Sequence, residues 1–352
     1  MAVKRAASAP KPRLQDIAEF AQVSTATVSR VLNGKPGASE DVRRSVLAAL
    51  DMLGYERPAI LKTRAQGLVG VVVPELDNPV FPAFAQNIEA RLSQQGYTAL
   101  LCTQSPGGTT EEQIIELLVS QGASGVIFVS GLHADAHASH DQYRELAARG
   151  IPQAFVNGFA EDVEGIFVAT DDMAAIEASV RHLVSLGHER IGLTIGPDRF
   201  VPSQRKIAGF RAALHQQLGI TDADPHIASS LYTMEGGHAA AAGLIATGHT
   251  GLVCGSDLMA LGAIRAARSV GLSVPDDISV VGYDDSLMVA FIDPPLTTIR
   301  QPVSELSAAV VATLINEIGG SPGPRSELIF RPELVVRNST HAAPHQVGAR
   351  SS

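Results

Sequence analysis

From residue 67 onward, short apolar runs alternate with stretches of helical spacing, and this alternation constrains the fold more than any other feature of the chain. Residues 68–73, 99–101, 125–129, 153–156, 191–195, 251–253 and 278–281 are short, predominantly apolar runs. Residues 84–95, 111–121, 141–149, 174–186, 203–218, 236–246 and 259–270 carry the helical pattern. Strands apolar on both faces must be buried on both faces, which a parallel sheet covered by helices provides. The number of runs suffices for two doubly wound halves. Sheets of this kind bind ligands at the carboxyl ends of their strands, so the loops after each run are where polar side chains carry meaning.

A chain of 352 residues with 45% hydrophobic and 18% charged content can build a large core in two or three domains. No apolar run approaches the ~18 residues of a membrane span, so a helical membrane protein is excluded. The opening MAVKRAASAPKPR has basic residues but no apolar segment behind them, so the expectation is no secretory signal and a cytoplasmic location. Two distant cysteines, Cys102 and Cys254, form no disulfide framework and suit a reducing compartment.

The formal net charge of -9 argues against a nucleic-acid partner, but its distribution argues for one. Residues 1–66 hold eleven Lys/Arg and six Asp/Glu, a balance of +5, which leaves -14 on the rest. A small basic module attached to an acidic body can neutralise phosphates. Residues 1–13 read as a flexible basic tail. Three short helices follow: 14–21, a second from a Ser24 or Thr25 cap to Leu32 with Gly34 placed to end it, and a third from Ser39 closed by Gly54. Two short helices with a tight connection and a supporting third make a helix-turn-helix, whose second helix enters the major groove. A three-helix bundle without a ligand has the same spacing, and the local charge favours DNA.

The segment DIAEFAQVSTATVSRVLNGKP at residues 16–36 resembles the lactose-repressor/galactose-repressor (LacI/GalR) family of bacterial transcription factors. So do LGY at 53–55, VPELDNP at 73–79, LGH at 186–188, SDLMALG at 256–262, VGYDD at 281–285 and PPLTTIRQ at 294–301. The resemblance runs from about Arg13 to Thr340. It implies a small all-α helix-turn-helix head joined to an α/β core of two doubly wound parallel-sheet lobes, like periplasmic binding proteins. The implied protein is a homodimeric repressor of double-stranded, pseudo-palindromic operator DNA, modulated by a small-molecule effector, sugar or sugar-like.

Carried over by position, Thr25, Ala26 and Arg30 stand where the family reads base edges. Arg can bond guanine bidentately, while Ala and the Thr methyl suit the thymine methyl. Ser24, Thr27, Ser29 and Asn33 suit phosphate or base contacts that fix register, and Ser24 also suits a helix cap. Gln22 departs from the family, which favours Gly in that turn; a positive φ there would cost Gln ~1 kcal/mol. The hinge, 57–66, departs as well. Pro58 suits a helix start, and Leu61 is the candidate for the family's minor-groove wedge, with packing between hinge helices as the alternative.

The resemblance places effector contacts on loops between two lobes: Asp77, Asn78, Phe81, Ser130, Asn157, Arg205, Ser256, Asp284 and Gln301. Asn157 stands where the lactose repressor has Asp, and Ser256 where Asn is common. Lys206 competes with Arg205 for the family's ligand-binding Arg, since strict spacing to Gly209 selects Lys206. Asp171 and Asp257 read as helix-capping residues. The expected organisation is a head at 14–56, a hinge, a core at 67–340 and a tail at 341–352. Within the core the N-lobe takes about 67–168 and 300–327, and the C-lobe about 169–297 and 328–340.

Enzyme signatures are lacking. Gly34-Lys35 has no upstream glycine of a phosphate loop, His188-Glu189 has no second His at zinc spacing, and the Gly122-Ala-Ser-Gly125 stretch is one residue short of a nucleophile elbow. His133, His137 and His140 could gather a metal on a helix, but their Gly/Ala/Ser/Asp surroundings favour a solvated mobile loop. No cofactor is expected. A transport-type binding protein or a doubly wound enzyme are the alternatives; the DNA-reading head weighs against the first and the missing motifs against the second. The sequence after Thr340 shows no Leu heptad, which disfavours a coiled-coil tetramer.

Overall fold

The computed structural model describes residues 13–33, 35, 37–53, 66–104, 107–321, 323 and 325–344, in two compact units divided between Gln66 and Gly67. Residues 1–12 of the first tail, the helix-ending glycines Gly34 and Gly54, the hinge up to residue 65 with Pro58 and Leu61, and residues 345–352 lie outside the described residues.

The head consists of α1 (Leu14–Phe20), α2 (Thr25–Leu32) and α3 (Glu40–Met52). Asp16 accepts the Arg13 N–H at 2.6 Å at the start of α1, and the Ser24 hydroxyl accepts the Thr27 N–H at 3.1 Å, capping α2. Ile17, Val28, Val31, Leu32, Val46, Ala49 and Leu50 meet in one buried cluster, the inward stripes that the spacing predicts. In the turn between α1 and α2, Gln22 holds φ +54°, the left-handed conformation for which glycine is the unstrained choice.

The second unit has two lobes. In the N-lobe, β1 (Gly67–Val73), α4 (Val80–Gln94), β2 (Tyr97–Thr103), α5 (Glu111–Ser120), β3 (Ala123–Val129), α6 (Asp141–Ala148), β4 (Gln153–Val156) and β5 (Ile166–Thr170) follow in order. The C-lobe continues with α7 (Asp172–Ser185), β6 (Ile191–Ile195), α8 (Val201–Leu218), β7 (Ile227–Ser229), α9 (Met234–Ala246), β8 (Gly251–Cys254), α10 (Asp257–Ser269), β9 (Ser279–Asp284) and β10 (Thr297–Arg300). The chain then returns to the N-lobe as α11 (Val303–Ile318) and β11 (Glu327–Phe330), and crosses back as β12 (Glu333–Val335).

The strand orders are β2-β1-β3-β4-β5-β11 and β7-β6-β8-β9-β10-β12, parallel throughout except that β12 runs against β10. Each order reverses direction beside its first strand, which opens a crevice at the carboxyl ends. Residues 328–330, expected in the C-lobe, belong to the first sheet, because β11 pairs with β5 from Glu327 to Phe330. Five strands, β5, β7, β10, β11 and β12, and helix α11 are additions to the sequence reading; β7 and the last three strands are only three or four residues long.

Apolar burial holds each sheet between helices. Phe84, Ile88 and Leu92 of α4 join Val310 and Leu314 of α11 on one face of the first sheet, while Ile114, Leu118, Phe128 and Tyr143 fill the other. In the C-lobe, α9 and α10 lie so close that a Cβ on Gly262 would sit 2.1 Å from the Met234 carbonyl oxygen. Only glycine allows that approach.

The three histidines do not occupy a mobile loop. His133 is fully enclosed against Phe155 and Tyr143, with Nε2 3.1 Å from the Val156 carbonyl oxygen; burial pushes its pKa down to about 3, so the ring is neutral. His140 is buried too, its Nδ1 2.7 Å from Asp162, whereas His137 is exposed. The segment is ordered because its polar atoms have internal partners: Tyr143 accepts the His133 N–H at 2.9 Å and donates to Glu111, itself buried. The three rings point into different contacts and form no common site.

Candidate ligand cavity and nucleic-acid interface

On the head, α2 presents Thr25, Ala26 and Arg30 to solvent, with Ser24 exposed at its start and Thr27 and Ser29 half-buried. No described acidic side chain pairs with Arg30, which leaves its guanidinium available for a base edge. Ser24 and Thr27 hydroxyls bond each other at 2.9 Å, and Asn33 donates to the Ser29 carbonyl at 2.7 Å and to its hydroxyl at 3.3 Å. These short polar groups are therefore held in fixed places, as contacts that set register require.

In the second unit, a cavity of about 230 Å³ opens at the carboxyl ends of the strands of both lobes. Asn78, Phe81, Ser130 and Asn157 reach it from the N-lobe, and Ser256, Asp284 and Gln301 from the C-lobe and the crossover. Seven of the nine expected residues thus converge. Asp77 does not line the cavity, because it lies exposed in the turn where Glu75 accepts its N–H at 2.9 Å. Arg205 does not line it either. Its guanidinium bonds Glu327 of β11 at 2.6 and 2.8 Å, and the adjacent Lys206 is the residue that faces the cavity.

Lys206 is enclosed by three acceptors. Its Nζ lies 3.6 Å from Asp172 Oδ1, donates to the Gly255 carbonyl at 3.3 Å, and stands 3.6 Å from the centre of the Tyr283 ring. Tyr283 in turn donates its hydroxyl proton to the same Asp172 oxygen at 2.5 Å. Burial, the largest single influence, would lower the Lys206 pKa, but Asp172, Tyr232 and Asp284 together outweigh it and the ammonium stays charged.

Asp284 ends β9 at φ +122°, and its Oδ1 accepts from Gln301 Nε2 at 2.7 Å while Gln301 Oε1 accepts from Thr170 at 2.9 Å. Asp284 Oδ2 is buried with no protein partner. Burial, with Asp257 adding to it, pushes the Asp284 carboxyl up to about 8. A buried acceptor left without a donor is costly, and a ligand hydroxyl would satisfy it. Ser130 and Asn157 also hold positive φ, +48° and +58°, so three strand ends at the cavity store backbone strain that the surrounding sheet sustains.

Of the two aspartates read as caps, Asp171 accepts the Ala174 N–H at 3.0 Å and caps α7. Asp257 is structural in another way: Ser256 caps α10, while Asp257 takes the Ser286 N–H at 2.7 Å and the Thr298 hydroxyl at 2.6 Å. Glu75, Asp172, Phe200, Tyr232 and Tyr283 line the cavity without having been singled out in the sequence. All five lie at or within a few residues of a strand's carboxyl end, which is the signal that would have found them.

A helix-turn-helix head in one chain with a two-lobed α/β unit, its cavity at the strand ends, defines a DNA-binding transcriptional regulator that responds to a ligand. Residues 13–58 match the bacterial regulatory proteins of the lacI family, and residues 180–340 match a periplasmic binding protein-like domain. The chain is 57% identical to the HTH-type transcriptional regulator MalR of Streptomyces coelicolor (strain ATCC BAA-471 / A3(2) / M145), over 96% of this chain and 98% of that protein. Among solved structures, a transcriptional regulator CelR–cellobiose complex is 29% identical with a TM-score of 0.70, covering 93% of this chain and 99% of that one. The lac repressor dimer bound to operator and the anti-inducer ONPF is 27% identical with a TM-score of 0.68, covering 95% and 100%. The chain belongs to the LacI family of transcriptional regulators.

Proposed function

We propose that the chain is a cytoplasmic, homodimeric repressor that holds operator DNA through paired α2 helices and is released or recruited by an uncharged sugar bound between its lobes. It acts by binding, not by catalysis. The observation that carries the sugar is the pairing of Asp284 Oδ2, a buried acceptor without a donor, with the aromatic faces of Phe81, Phe200 and Tyr232 around the same cavity. A pyranose offers hydroxyl donors at its rim and C–H groups on its faces, which such a wall receives. The cellobiose complex of a structural neighbour supports the same ligand class. On this reading Ser130, Asn157, Ser256 and Gln301 supply further hydrogen bonds, and Arg205 acts outside the cavity.

Dimerisation is supported by a three-sided apolar outcrop on the C-lobe. Leu287, Met288 and Phe291 are 81%, 65% and 79% exposed, and apolar side chains gathered in one short segment are what an interface between copies would cover. Two copies place two reading helices in successive major grooves. A sugar screen by thermal shift tests the effector class: ligands of the native state raise the melting temperature by mass action, and no shift with any uncharged mono- or disaccharide would reject it.

A further inference from the structure

We infer that Asp172 sets the charge selectivity of the cavity: by pairing with Lys206 it occupies the cation in the wall, so the site admits an uncharged polyhydroxylated ligand and refuses sugar phosphates and other oxyanions. The inference rests on reading the cavity as the effector site.

Lys206 is the only Lys or Arg among the described residues that line the cavity. An ammonium in such a place would ordinarily be the receptor for an anionic group. Here its side chain is 7% exposed and that of Asp172 8%, and the acceptors around Nζ are Asp172, the Gly255 carbonyl and the Tyr283 ring. The Tyr283 hydroxyl donates to the same Asp172 oxygen, so the carboxylate cannot swing away without leaving two donors unmatched.

The remaining charge of the wall is negative. Glu75 carries it, using its carboxylate to accept the Asp77 and Asn78 N–H groups of the turn after β1. A phosphate or carboxylate entering the cavity would meet Glu75 with no free cation to compensate, whereas an uncharged hydroxyl can share a hydrogen bond with Asp284 Oδ2. Asp172 is the control point because Asn in its place keeps the shape and can still accept from Tyr283, while it withdraws the charge that holds Lys206.

The test is a titration of the full chain with inorganic phosphate at constant ionic strength, read by thermal shift and calorimetry. The wild-type chain is expected to show no saturable binding up to ~20 mM, a concentration at which a Kd near ~1 mM would raise stability measurably. Asp172→Asn is expected to gain saturable binding, at least ~10-fold tighter than any in the wild type, and Lys206→Met on that background to abolish it. Phosphate bound by the wild type and lost in Lys206→Met would overturn the inference, as would a folded Asp172→Asn that gains nothing. Should Asp172→Asn not fold, the wild type against Lys206→Met alone decides. Phosphate reports charge only, so this outcome is separate from that of the sugar screen.

Discussion

The Arg205 guanidinium holds the Glu327 carboxylate through two hydrogen bonds, 2.6 and 2.8 Å long, and so ties α8 of the C-lobe to β11 of the N-lobe. A second tie joins the lobes where Ala136 donates its N–H to the Arg199 carbonyl at 2.9 Å and Arg199 Nε lies 3.4 Å from Asp135. Both bridge the two lobes, so they favour the arrangement in which the cavity is enclosed. Glu327→Gln keeps the side-chain shape but removes the charge from one tie. Its expected effect is a ~10-fold loss of sugar affinity, the equivalent of ~1.4 kcal/mol, with DNA affinity in the absence of sugar shifted toward that of the open state. Calorimetry on the variant checks it, and unchanged affinity would remove the pair from the closure.

Asp284→Ala removes the unpartnered acceptor from the cavity. The expected result is a chain that binds operator DNA as before and no longer responds to sugar. A normal response, followed by fluorescence anisotropy of labelled operator, would take Asp284 out of the ligand contacts.

Stability should depend on pH through the same residue. Burial raises the Asp284 carboxyl to about 8 and the Asp257 carboxyl to about 6. An acid whose folded pKa lies above its unfolded value binds protons more tightly when folded, so its contribution is complete below about pH 4 and is lost as pH rises through about 8. The thermal midpoint is therefore expected to fall across this window, and Asp284→Asn to flatten that part of the fall. Parallel profiles for the two proteins would contradict the assignment.

Arg30→Ala should weaken binding to the specific operator by ~1–3 kcal/mol while leaving affinity for random duplex and the dimer unchanged. Equal losses on specific and random DNA would make Arg30 a phosphate contact instead.

The fold was legible to the extent that local patterning carried it. Runs such as the one around Val71 and Val72 announced buried parallel strands, and the stripes through Ile17, Val28 and Val46 announced the head. Strands β10 to β12 escaped because three or four residues at a crossover show no period. Strict spacing to Gly209 points to Lys206, the residue that faces the cavity, whereas the resemblance puts Arg205 among the effector contacts; the two are neighbours on α8, where one residue turns a side chain by about 100°. The enclosure of His133 depended on Tyr143 and Glu111 arriving from two other helices, a tertiary fact that local polarity obscured. Asp172 was hidden behind Asp171: the sequence pointed to a cap, and the next residue turned into the cavity to hold Lys206.

The central claim is that a neutral sugar between the lobes changes the affinity of the head for DNA. Its most direct test is anisotropy of an operator duplex selected from random DNA, titrated with the full chain with and without a sugar found to bind it. The account predicts at least a ~10-fold change in Kd for operator, in one direction, that disappears in Asp284→Ala. An operator affinity unmoved by saturating sugar would contradict it.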